Sequence, residues 1–406
     1  MKHKILFLIL IPVLLFVAAC AAPSLEPAAL LMTDPSSAEL MMVRPNGATG
    51  ELITYDTATG QEQFHLPDGF LSADESLYYA AAYQRWKTRL NLYNPRTGNI
   101  SDYFTIDGEW RLDGMSVNGR WLVLTRIPDK QEQTRRQTKN VWQTEIQVFD
   151  TQNGRATHNL ALDGKFEIDA ISGDGTGLFL IQQVPPNNPD HYFIRAYDLS
   201  ADELLPGSLR DKRFLDELMV GYPWGSISDP AGVWYLTLYI NTQHNVAFIH
   251  ALNMETRLTF CIDLPSGEGD FDTLQQYTLT LDPDEQKIYA ANAALGIVAE
   301  VSLQEIMVTD QYQFPAHPLS ARFETGSSLN ASLITADGKT LYFTDGRQLW
   351  AYDTATGDVS DPLLESDMGA VQGLSVSDDG RWLYVAQAER PLLVLPMATD
   401  EGMKGS

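Results

Sequence analysis

Short apolar runs, each broken by a turn of Asx-Gly, Asx-Pro or Ala-Asp, recur along almost the whole chain. Leu374 to Ala386 reads as strand, Asp379-Gly380 turn, strand, and Leu333 to Phe343 repeats the pattern around Asp337-Gly338. Looser copies turn at Asn118-Gly119, Asp174-Gly175, Asp229-Pro230, Asp282-Pro283, Ala73-Asp74 and, earliest, at Asp34-Pro35 between Leu30 and Val43. A second block follows each first one, an alternating strand that ends in Asp or Asn and often Gly: Leu52 to Gly60, Leu92 to Gly98, Val148 to Gly154 and Ala351 to Gly357. Ala196-Tyr197-Asp198 and Ala251-Leu252-Asn253 continue that series, and Ala299 to Ser302 is a degenerate member. Gly, Asn and Asp supply the positive φ that tight hairpins need, so each pair of blocks predicts a meander of four strands.

Successive first turns lie about 40 to 56 residues apart, the period of propeller blades. One such sheet exposes two apolar faces, and stacking in a ring buries them. The predicted fold is therefore all-β, a β-propeller of four-stranded antiparallel blades. Four strands in seven units and three in the last favour eight blades. Seven is the alternative, if Leu30 to Val43 closes the last blade instead of opening its own. Ser377 to Ala386 (Ser-Asp-Asp-Gly-Arg-Trp-Leu-Tyr-Val-Ala) and Tyr352 to Gly357 (Tyr-Asp-Thr-Ala-Thr-Gly) resemble the surface-layer-type YVTN repeat and the related WD-like and quinoprotein-like propellers. That likeness spans nearly all of residues 30–400 and implies fold more than function, because such propellers host unrelated activities.

The first 29 residues read differently. Lys2 and Lys4 precede an apolar run from Ile5 to Val17 that holds Pro12 and is too short to span a bilayer as a helix. Residues 1–19 are read as a signal peptide. Val17-Ala18-Ala19-Cys20 resembles the lipobox of bacterial lipoproteins, which implies acylation of Cys20 and a bacterial-type lipoprotein anchored in a membrane of the cell envelope, on its extracytoplasmic side. Residues 20–29 form a tether reaching about 30 Å, residues 30–400 one propeller domain, and residues 401–406 a disordered tail. Cys261, the other cysteine, lies in an apolar stretch and reads as a small buried hydrophobe.

Charge narrows the partners. The chain carries 28 Lys and Arg against 53 Asp and Glu, a net −25, and loss of Lys2 and Lys4 with the signal leaves −27. That argues against nucleic acid and for a soluble monomer. His65, His158, His191, His244, His250 and His317 are scattered singly, without metal-ligand spacing, and no nucleophile elbow or haem-attachment motif occurs. The acidic stretches Glu268 to Asp272 and Asp282 to Glu285 lack a calcium-loop plan. No metal, cofactor or catalytic residue is therefore assigned.

One feature rises above composition. The loop between a blade's second and third strands and the loop crossing to the next blade share a rim, and the long excursions collect there: Tyr83 to Arg89, Ile127 to Trp142, Val184 to His191, Leu205 to Tyr222 and Gln311 to Ser328. Three are basic. Arg85, Lys87, Arg89, Lys130, Arg135, Arg136, Lys139, Arg210, Lys212 and Arg213 make ten of the 26 Lys and Arg beyond the signal, with Trp86, Trp142, Tyr222 and Trp224 beside them. Trp, Tyr and Arg are the residue types of binding hot spots. The expectation is a non-catalytic binding or scaffold propeller whose partner is an envelope protein, a glycan or an anionic ligand. The same cations, held near the bilayer by the tether, could instead orient the domain on anionic headgroups. Alternatives are a propeller enzyme, lactonase-like or a quinoprotein-type oxidoreductase, with its site at the central channel, and a surface-layer-like structural role.

Overall fold

A computed structural model describes residues 40–397, except 44–49, 140, 187, 189–190, 210–218, 285, 318–330 and 364–369. The signal peptide, Cys20, the tether, the Asp34-Pro35 turn and the tail at 401–406 lie outside the described residues.

In five of the described copies the first block folds as its sequence predicts, because a side chain closes the turn from within. Ser377 Oγ donates to Asp379 Oδ1 at 2.7 Å and accepts the Trp382 amide at 3.0 Å, which locks the two strands in register. Thr335 with Asp337, Ser172 with Asp174, Ser72 with Asp74 and Ser116 with Asn118 repeat the device. The second block ends in an Asx turn. Asp56 Oδ1 accepts the amides of Ala58 and Thr59, and Asp353 Oδ1 those of Ala355 and Thr356. The chain then leaves through a left-handed residue, Gly60 at φ 68° or Gly357 at φ 79°.

Among the described residues there are 29 strands, paired antiparallel into seven hydrogen-bonded sheets. Four contain at least four strands each along a simple meander, and the last two contain three each, with an isolated Tyr352–Val359 bridge marking a further edge on the first of these. The first sheet has six strands because one long strand, Gln61–Leu71, belongs to two meanders. Its beginning pairs with Gly50–Asp56, and its end, Gly69 to Leu71, pairs with Tyr78–Gln84. Gly69 is required at that crossing: a Cβ there would lie 2.3 Å from the Tyr79 carbonyl oxygen.

The fold is a β-propeller. Counted as continuous sheets the ring has seven members. The propeller therefore has seven blades, the alternative to the eight that the strand count favoured, because the first six strands join in one sheet, and its central channel is lined by Met42-Val43, Phe70-Leu71, Asp113 to Met115, Ile168 to Ile171, Pro223 to Ser228, Thr278-Leu279, Ala331-Ser332 and Gln372 to Leu374. Leu40–Val43 pairs with Gly50–Asp56 and does not complete the last sheet. The core is correspondingly split into separate clusters, one or two in each seam. Met41, Val43 and Tyr55 meet Tyr384, Ala386 and Leu392 where the ring closes, and Tyr342 and Leu349 meet Val371, Leu383 and Val385 in the preceding seam.

One rim loop differs from expectation. Lys130–Lys139 is a helix. Asp129 Oδ1 caps it through the Glu132 amide at 2.8 Å, Glu132 contacts Arg136 one turn on, and Arg136 and Lys139 sit in the last turn, where cations favour the dipole.

Candidate functional site

The basic rim is partly assembled and partly neutralised. Arg85 and Trp86 form the tip of the hairpin joining Tyr78–Gln84 to Lys87–Tyr93. Both hold positive φ, 27° and 72°, and Trp86 is 75% exposed. The Trp86 carbonyl accepts the Gly108 amide at 2.7 Å, so the tip is tied to the frame. Tyr83 (52% exposed), Val141 (59%) and Tyr222 (39%) project from the same rim. Lys87 reaches Asp107 at 3.4 Å, and Arg136 with Arg126 surrounds Glu132. Arg89 turns to the outer strand, its guanidinium 3.9 Å from the Tyr103 ring centroid. Arg85, Lys130, Arg135 and Lys139 make no ion pair with any described residue and are exposed. Trp142 is half-buried, its carbonyl bonded to the Gly164 amide and its ring 6.0 Å from the Lys165 ammonium. Arg210, Lys212 and Arg213 lie outside the described residues.

Trp224 departs from the rim. A bulge between Pro223 and Gly225 re-aims it, and it lines the channel with its ring edge-on to Phe271 at 5.6 Å. Asp113, Asp169 and Gln372 occupy the same kind of bulge on their inner strands. The channel encloses 770 Å³, within the range of small-molecule sites. Among the described residues its charged lining residues are Glu75, Asp113 and Asp169.

The acidic stretches serve as caps. Asp270 Oδ1 accepts the Thr273 amide and starts the short Phe271–Leu274 helix, and Asp282 Oδ1 accepts the Asp284 amide. Among the described residues no group of three or more His, Cys, Asp or Glu is arranged to hold a metal.

Sequence reasoning missed one seam. Ser226, Thr237, His250 and Cys261 stand side by side across the four strands of one sheet. His250 is fully buried, neither ring nitrogen has a hydrogen-bond partner, and its Nε2 is 3.8 Å from Asp169 of the preceding sheet. Tyr192 and Tyr239 stack beside it at 5.8 Å, and burial pushes both phenols well above their ordinary value. Cys261 packs against this group and is half-buried, less enclosed than its apolar context implies.

No family model and no curated protein matches the chain. Solved structures do. The dihydro-haem d1 dehydrogenase NirN, in complex with DHE, aligns over 92% of this chain and 75% of its own, with a TM-score of 0.53 and 12% identity. Hydrazine synthase of Kuenenia stuttgartiensis aligns over 81% of this chain and 95% of its own, at 0.44 and 14%, and the Dos1 propeller over 86% of each, at 0.49 and 9%. At such identities the likeness shows the propeller fold alone.

Proposed function

We propose that this chain is a non-catalytic binding module, held on the extracytoplasmic side of a membrane through an acylated Cys20, that grips an envelope protein, glycan or other anionic partner with its long-loop rim. The observation that carries the reading is the Arg85-Trp86 tip. A tryptophan that is three-quarters exposed and left-handed is costly to keep, and nothing in the fold needs it there. Arg85, Lys130, Arg135 and Lys139, which pair with no described residue, add positive charge to that rim of an otherwise acidic protein. The test is a photo-crosslinking residue at position 86 in the membrane-bound full chain. One discrete adduct, lost in Arg135→Ser/Lys139→Ser and unseen with the crosslinker moved to exposed Met307, is expected, and Cys20→Ser releases the chain from the membrane fraction. A smear of adducts identical from both positions refutes the rim.

A further inference from the structure

Among the described residues eight large hydrophobic side chains are exposed, and four of them, Tyr83, Trp86, Val141 and Tyr222, stand on the long-loop rim. They come from three sheets. Tyr83 and Trp86 belong to one hairpin of the first, Val141 to the loop between Trp121–Arg126 and Gln143–Asp150 of the second, and Tyr222 to the first strand of the fourth. They are separate knobs spaced around a rim, whereas the hot spot of a protein interface sits inside one packed patch that neighbours seal from water. The Trp86 tip is also held in place before any partner arrives. Besides the Trp86–Gly108 bond, Thr88 Oγ1 donates to the Gly108 carbonyl at 3.0 Å and accepts the Trp110 amide at 2.7 Å, which braces the hairpin against the chain crossing to the second sheet. A braced tip has little freedom left to lose on binding.

Cations accompany the knobs. Arg85 adjoins Trp86, and Lys130, Arg135 and Lys139 are exposed on the helix that leads to Val141. Of the acids beside them, Asp107 is held by Lys87, Glu132 by Arg126 and Arg136, and Asp129 caps the helix, which leaves Glu109 exposed. Further round the same rim Glu268, Asp270 and Asp272 are exposed in the crossing from the fourth sheet to the fifth, so the rim has a cationic sector and an anionic one. Isolated aromatic knobs among cations suit a fluid, negatively charged interface, which receives each ring without a matching surface and attracts each cation. We infer that this sector contacts an anionic lipid bilayer: the Arg85-Trp86 tip enters the interfacial layer, Tyr83, Val141 and Tyr222 stand at headgroup level, Lys130, Arg135 and Lys139 lie against the headgroups, and the acidic sector tilts away. The inference rests on the rim reading above and narrows its partner to lipid.

The purified full chain, with a photo-crosslinking residue at position 86, is irradiated on vesicles of phosphatidylcholine alone and on vesicles of equal parts phosphatidylcholine and phosphatidylglycerol. Lipid adducts are expected at least about tenfold more often on the anionic vesicles, with a loss of similar size in Arg135→Ser/Lys139→Ser and at high salt. Moving the crosslinker to exposed Met307 should abolish them. Equal yields on the two kinds of vesicle, or equal yields from positions 86 and 307, overturn the inference with a single chain, so the result does not hang on how the double variant folds. The native membrane separates this inference from the rim reading. A protein or glycan adduct at position 86 there, with no lipid adduct on anionic vesicles, overturns the lipid contact and leaves the rim reading standing, whereas a smear identical from positions 86 and 307 overturns both.

Discussion

Replacing Arg85-Trp86 with Asn-Gly should stabilise the propeller. A two-residue hairpin turn with positive φ at both positions is the natural place for Asn-Gly, yet this one holds two bulky residues at φ 27° and 72°. Left-handed backbone costs roughly 1–2 kcal/mol per non-glycine residue, or about 2–4 kcal/mol for the tip. Against this, Trp86 is 75% exposed and has little burial to lose, and a new glycine adds unfolded-state entropy of about 0.5–1 kcal/mol. The Lys87–Asp107 contact is exposed and adds little, and the Gly108 amide bonds to the backbone of residue 86 whatever its side chain. The net expectation is a gain of about 1–3 kcal/mol. Urea unfolding followed by circular dichroism reads it as a higher midpoint at unchanged slope. An unchanged or lower midpoint refutes the claim that the tip is strained, and with it the argument that function retains Trp86.

Acid should weaken the turns in a defined window. Hydroxyls of Ser72, Thr335 and Ser377 hold the carboxyls of Asp74, Asp337 and Asp379 below their ordinary value, Asp379 down to about 2. Depressed values mean that the ionised forms stabilise the fold, fully above the unfolded value near about 4 and progressively less as pH falls from there toward about 2. Melting temperature should drop across that interval, and Ser72→Ala/Thr335→Ala/Ser377→Ala should flatten the drop; an equally steep profile in the triple variant counts against the turn carboxylates. Two glycines separate strain from clash. Gly357→Ala puts a Cβ 2.2 Å from Tyr312 Cε1 at φ 79°, whereas Gly380→Ala meets nothing within 4 Å at φ 67°. Denaturant titration should show about 1 kcal/mol lost at Gly380 and at least about 2 kcal/mol more at Gly357, and equal losses would falsify the contact.

The repeat was legible because its turns carry chemistry as well as shape. A Ser or Thr two residues before an Asx, and an Asx four residues before a glycine, mark the same backbone each time, so Ser377, Thr335, Asp56 and Asp353 announced their hairpins. The weaker copies show why reading by eye degrades. The left-handed position filled by Gly60 and Gly357 is held by Asp202, Arg257 and Ile306, at φ 56°, 56° and 55°. In each case other contacts cover the strain: Asp202 accepts the Tyr197 hydroxyl, Arg257 reaches Asp198, and Ile306 packs into the neighbouring core. The Lys130–Lys139 helix escaped because it has no apolar stripe, although its cap and its Glu132 to Arg136 spacing were readable. Nothing in composition marks a bulge, so neither the turn of Trp224 into the channel nor the orphaned position of Asp169 had a signal. The row from Ser226 to Cys261 is created by strand register, which joins residues 11 to 13 positions apart only once pairing is known.

Charge is where sequence counting and structure part most usefully. In a chain with nearly twice as many acids as bases, a cation that can reach a carboxylate will do so, and Lys87, Arg111, Arg126, Arg136 and Lys165 all have. A basic run therefore says little until the pairs are removed from it. What survives on the rim is selected by geometry. Arg135 and Lys139 lie one helical turn apart and are exposed, whereas Arg136, on a different face, is half-buried against Glu132. The helix thus spends its acid on its own frame and leaves two cations outward, on the rim that also bears Trp86. In the channel the selection runs the other way. Arg111 neutralises Asp113 from outside the lining, while Asp169, on the next inner strand, has only an imidazole beyond bonding distance.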